Sequence, residues 1–135
     1  MIPLFICEAD PEQRSDIEKI ISDFVIKEAM DIEVMATGDP DEVLKFLENN
    51  ASTGGIYFLD ANLSHEVDGI TLAAKIREID HRGVIIFITM HLEIMHSIFT
   101  YKLEVMDFIL TNRPVELNSR ICESLRLAYE RLLKR

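Results

Sequence analysis

The chain has 135 residues, nearly half of them apolar, which is enough for one domain with a real hydrophobic core. Its formal net charge of −10 repels phosphate backbones and anionic lipid, so by itself it is a poor partner for nucleic acid or a membrane surface. Two separated cysteines, Cys7 and Cys122, with no CxxC and no histidine cluster exclude a zinc module and a disulfide scaffold. The N-terminus "MIPLFICEAD" does not read as a secretory signal and no run approaches a membrane span, so the expectation is a cytoplasmic, reduced protein.

In chain order, "IPLFIC" (2–7) is a continuous apolar run, the pattern of a strand buried on both faces. Asp10, Pro11 and Gln13 then spell a helix start, and Ile17, Ile20, Ile21, Phe24 and Val25 follow at helical spacing. "DIEVMAT" (31–37) alternates Ile32, Val34 and Ala36, a strand with one face more exposed and hence near an edge. "DPDE" (39–42) repeats the start signal before a helix whose inner face is Val43, Leu44 and Leu47. "GIYFLD" (55–60) is the third strand, followed by a helix marked by Ile70, Ala73, Ala74 and Ile76. "GVIIFIT" (83–89) is the fourth strand, with a weaker helical pattern of Met95, Ile98 and Phe99 behind it. "VMDFIL" (105–110) is the last strand, and Pro114 opens a final helix carrying Leu117, Ile121, Leu125, Ala128 and Leu132.

Strand–helix units in strict alternation predict a parallel sheet covered on both faces by right-handed crossovers. Five units suit an α/β fold of the flavodoxin-like kind, a (βα)5 doubly wound sheet of strand order 2-1-3-4-5. Its topological switch lies between strands 1 and 3, and ligands bind beyond the carboxyl ends of the strands there.

Glu8 ends strand 1 and Asp60 ends strand 3, at that switch. Two converging carboxylates repel unless a proton or a cation sits between them. A hard cation such as Mg²⁺ takes oxygen ligands and shares sites with phosphate. The expected ligands are Glu8, Asp60 and the backbone carbonyl of Asn62, with Asp10 a further candidate that also reads as the N-cap of helix 1. Thr89 ends strand 4, where its hydroxyl can reach an oxygen held at Asp60. A carboxylate can also attack phosphorus and form an aspartyl phosphate. Taken singly, each residue has a bland reading: strand-end acids cap neighbouring helices, and threonine is a common strand residue.

The blocks "FICEADPEQR" (5–14), "YFLDANL" (57–63), "DGITLAAKIR" (68–77), "IIFIT" (85–89) and "MDFI" (106–109) give the chain a resemblance to response-regulator receiver domains, and within them to the AgrA-like group that carries a LytTR-type DNA-binding domain. The resemblance implies a two-component, quorum-sensing transcription regulator in which a sensor histidine kinase phosphorylates Asp60 with Mg²⁺. It further implies Thr89 as the switch hydroxyl and Phe108 as the aromatic switch residue. Homodimerisation through the helix 4/strand 5/helix 5 face, and DNA binding only through an attached output domain, follow from the same likeness. The sequence departs from the family twice: Ala9 stands where a second metal-binding acid is usual, and Thr111 where a strand-5 lysine is usual. Arg113 is a candidate replacement cation. A degenerate receiver acting as a phosphorylation-independent dimerisation module is the alternative.

An aspartate nucleophile also suits haloacid-dehalogenase-type phosphatases, but their second aspartate is Asn62 here, and no Gly-rich phosphate loop follows strand 1. The domain is therefore expected not to be an enzyme. Met90, Leu92, Ile94, Met95, Ile98 and Phe99 cannot all face inward from one helix, so an exposed apolar surface is expected there. His65, His81, His91 and His96 read as scattered surface residues. Residues 113–135 carry six Arg/Lys against three Glu, a net +3 on an acidic chain. The whole chain, 1–135, is thus read as one receiver, with residues 114–135 leading to an output domain. The final helix's spacing fits either packing on the sheet or a short coiled-coil seam.

Overall fold

The computed structural model describes residues 1–50, 54–63 and 68–134. Five strands, β1 (Ile2–Cys7), β2 (Ile32–Thr37), β3 (Ile56–Leu59), β4 (Val84–Thr89) and β5 (Asp107–Leu110), alternate with five α-helices. The helices are α1 (Pro11–Lys27), α2 (Pro40–Asn49), α3 (Gly69–Ile79), α4 (Met95–Thr100) and α5 (Pro114–Leu133). A single 3₁₀ turn, Leu92–Ile94, leads into α4. The strands are all parallel, in the order β2-β1-β3-β4-β5. This is the flavodoxin-like sheet that the alternation predicts.

Three helices start on an aspartate whose carboxylate accepts an otherwise orphaned backbone N–H: Asp10 from Glu12, Asp39 from Asp41 and Asp68 from Thr71. Pro11, Pro40 and Pro114 occupy first-turn positions, where their missing N–H costs nothing.

The period-2 alternation of the central strands sorts the core into two layers. Leu4, Ile6, Phe58, Ile86 and Ile88 face α1 and α5, meeting Ile17, Ile21, Ile121 and Leu125. Phe5, Cys7, Tyr57, Leu59 and Phe87 face α2 and α3, meeting Val43, Leu47, Leu72 and Ile76. Full burial of each such side chain contributes about 1.5–3 kcal/mol, so these layers are the main source of stability. β2 shows the mixed burial of an edge strand, with Glu33 exposed. In α5, Ile121, Leu125, Ala128 and Leu132 are buried against α1 and the sheet. That row is a packing face, which decides between the two readings of its spacing.

The weak helical pattern after β4 becomes α4, which runs for six residues and buries only Ile98, in keeping with the exposed apolar surface expected there. Leu92, Met95 and Phe99 remain exposed.

Candidate functional site

The sheet ladder brings the two acids together. Cys7 pairs with Leu59, the Asp60 N–H donates to the Cys7 carbonyl at 3.1 Å, and the Glu8 N–H donates to Thr37 at 3.0 Å. Glu8 and Asp60 therefore leave neighbouring strands side by side, and both are buried, at 3% and 9% exposure. The two carboxyls are near enough for the charge of Asp60 to act on Glu8.

Each carboxyl is partly held by the backbone. Asp60 Oδ1 accepts from the Ala61 N–H at 2.7 Å, and Glu8 Oε2 accepts from the Asp10 N–H at 3.2 Å. Glu8 Oε1 is buried and has no donor among the described residues. Burial first, and the neighbouring Asp60 charge second, push the Glu8 carboxyl up to about 8. Glu8 therefore takes up a proton more readily than an ordinary carboxyl, and a cation beside it would oppose that.

Thr89 is fully buried at the end of β4, and its Oγ1 accepts from the His91 N–H at 3.2 Å. Thr111 sits beside it, its N–H donating to the Thr89 carbonyl at 3.0 Å. Phe108 is half-buried and packs on the layer under α3 and α4. Asp10 is exposed, with one carboxylate oxygen engaged in capping α1. Arg113 lies in a depression with Leu92, Met95 and Phe108, on the α4 side of the molecule.

Three participants carried no sequence signal of their own. Asn62, whose backbone carbonyl is the expected ligand, has its side-chain Nδ2 2.6 Å from His91 Nε2. The amide nitrogen can only donate, so Nε2 accepts, and the ring proton falls on Nδ1, which faces Glu93 Oε1 at 3.3 Å. His91 thereby bridges the loops after β3 and β4. Arg14 Nη1 donates to the Glu8 carbonyl at 2.8 Å and fixes the end of β1. At Gly69 a Cβ would fall 2.0 Å from the Asp60 carbonyl oxygen, so only glycine lets the start of α3 approach Asp60 this closely. His65 lies outside the described residues.

The donor set suits a hard, partly hydrated divalent cation: two buried carboxyls at the ends of adjacent strands, one of them with an unpartnered oxygen. It is a lean set, since no group of three His, Cys, Asp or Glu able to hold a metal occurs among the described residues. Ala9, exposed at the mouth, supplies no oxygen from its side chain.

The structure thus sets an aspartate after the third strand beside an acid after the first, with Thr89 ending the fourth. The family model of the response regulator receiver domain matches residues 4–121, and the chain belongs to that family. It is an AgrA-like receiver domain. Over 130 residues it is 42% identical to accessory gene regulator protein A of Staphylococcus aureus (strain N315), covering 96% of this chain and 54% of that protein. The corresponding protein of Staphylococcus epidermidis is 41% identical over the same length. The chain spans about half the length of these curated relatives. Among solved structures, the response regulatory domain of mrkE from Klebsiella pneumoniae superposes at a TM-score of 0.74 with 28% identity, covering 96% of this chain and 98% of that one. A receiver domain protein from Clostridium thermocellum superposes at 0.77 with 14% identity, covering 97% and 96%, a likeness of fold alone. No helix among the described residues is long and apolar enough to cross a membrane.

Proposed function

We propose that this receiver takes a phosphoryl group on Asp60 from the phosphohistidine of a sensor kinase. The observation that carries the reading is the buried Glu8–Asp60 pair at the switch point, with one oxygen of Glu8 left without a donor. An Asp60 carboxylate oxygen attacks phosphorus, the P–O bond forms as the P–N bond breaks, and the electron pair returns to the kinase imidazole. The Ala61 N–H holds Oδ1, which leaves Oδ2 as the nucleophile. The Thr89 hydroxyl, now accepting from the His91 N–H, keeps its own proton to donate to a phosphoryl oxygen. Glu8, Asp60 and the Asn62 carbonyl would hold Mg²⁺, which would neutralise charge on the phosphoryl oxygens. Without the acid at position 9 and the lysine at position 111, cation and phosphoryl group are both held more weakly than in a fully equipped receiver.

The output follows from the same reading. Phosphorylation biases the β4–α4–β5 face, where Thr89 and Phe108 lie, and a homodimer forms through α4, β5 and α5. The extra length of the relatives supports α5 as the lead into an output domain of the LytTR type, which alone would touch DNA, in the cytoplasm.

Incubation with Mg²⁺ and a small phosphodonor, followed by intact-mass measurement, tests this. The expected result is a gain of one phosphoryl mass that Asp60→Asn abolishes. No gain in the unsubstituted protein, together with an unchanged dimer, would instead assign a phosphorylation-independent interaction module.

A further inference from the structure

The end of the sheet opposite Asp60 carries the other sign of charge. Gly83 precedes β4 and Glu104 precedes β5, and the last turns of α3 and α5 come down beside them. A cleft of about 310 Å³ opens there, lined by Arg77, Arg82, Arg131 and Lys134 against one acid, Glu104. That is a net +3 on a chain of −10. The four cations come from the end of α3, the turn before β4 and the end of α5, so only the fold brings them together.

None of the four forms an ion pair with any described residue. Arg77 is spent on main chain, donating to the carbonyls of His81, Gly83, Leu103 and Glu104. Its guanidinium is thus fixed in place with its charge unneutralised. Arg82 gives one N–H to the Leu132 carbonyl at 3.2 Å, which ties the cleft to the end of α5. Asp80, beside Gly83, spends Oδ2 on the Gly55 N–H and the Tyr57 hydroxyl. Arg82, Arg131 and Lys134 are exposed.

Cations near helix C-termini commonly serve the helix dipole. Each helix end is worth roughly half a negative charge, so α3 and α5 together offset about one and a surplus of about two remains. Guanidinium forks and an ammonium are groups that bind phosphate oxygens. A long polyanion would run over the rest of an acidic molecule and be repelled by it, whereas a compact anion meets the cleft alone. A diphosphate concentrates roughly three negative charges in a small volume.

We propose that this cleft binds a diphosphate group, free or carried by a nucleoside, with Arg82, Arg131 and Lys134 on its oxygens and the fixed Arg77 charge behind them. The site lies at the opposite end of the sheet from Asp60 and needs no phosphorylation there.

Amide NMR titration of the 135-residue chain with pyrophosphate, in Mg²⁺-free buffer at constant ionic strength, tests it. The Arg82, Gly83 and Lys134 amides are expected to shift saturably. Arg131→Gln combined with Lys134→Gln should weaken binding about tenfold, the size of two surface charge contacts. Circular dichroism should be unchanged, since both side chains are exposed. Lys19→Gln, exposed on α1, should leave the affinity as it was. Adenosine diphosphate binding more tightly than pyrophosphate assigns the nucleotide form, and binding no more tightly assigns the free form. No saturable shift, the same shifts from sodium chloride at matched ionic strength, or an equal loss in Lys19→Gln overturns the site.

Discussion

Glu8 and Asp60, fifty-two positions apart in the chain, end adjacent parallel strands, both of them buried. Burial of two acids in one place is unfavourable when both are charged. The arrangement persists because a proton or a cation can sit between them.

A pH dependence follows from the Glu8 carboxyl. It is raised from 4.5 to about 8, so the folded state binds a proton that the unfolded state releases between those values. In the absence of divalent cation, stability from this group is fully present below about 4.5 and is lost as pH rises through about 8. Urea unfolding in a chelator should show Glu8→Gln gaining on the unsubstituted protein as pH goes from 6 to 8.5. Parallel pH profiles for the two would contradict a raised Glu8 carboxyl. Added Mg²⁺ should stabilise the protein more at the higher pH, where no proton competes.

Ala9→Asp should supply the missing carboxylate. A restored charged contact is worth on the order of 2 kcal/mol, so Mg²⁺ affinity should rise about 30-fold. Isothermal titration measures it. An unchanged affinity would mean that position 9 does not face the cation.

Gly69→Ala would place a methyl against the Asp60 backbone. The collision is with main chain, so α3 or the β3 end must move, at a cost of about 3 kcal/mol. Thermal unfolding should show the loss, and any phosphoryl uptake at Asp60 should fall with it. A variant as stable as the parent would show that the loop relaxes freely.

Far from the site, Asp80 is fully buried and accepts from the Gly55 N–H at 2.8 Å and the Tyr57 hydroxyl at 2.7 Å. Asp80→Ala strands two buried donors and should cost about 2–5 kcal/mol, whereas Tyr57→Phe removes one bond and should cost about 1–2 kcal/mol. Denaturant midpoints would rank the two. Equal effects would indicate that the backbone donor finds another acceptor.

Much of the fold was legible because its signals are local. "VIIFIT" and "IYFL" can only be satisfied by burial on both faces, and Asp10, Asp39, Pro11 and Pro40 are the chemistry a helix start requires. Even the pairing of Glu8 with Asp60 could be anticipated, since strand order fixes which strand ends are neighbours. The exposed apolar surface around α4 was legible too, since its apolar residues cannot all face inward; that Ile98 is the one held in the core, with Met95 and Phe99 left to solvent, was not.

The sequence by itself determined the alternation of strands and helices, and hence which acids end neighbouring strands at the switch point, because periodicity and caps act over a few residues. Only the tertiary structure decided that Asn62 binds His91, that Gly69 must lack a side chain, and that Lys102 and Glu104 border an apolar cleft. Those relationships join loops distant in the chain, and no local propensity encodes a distance between two loops until the sheet beneath them has set it.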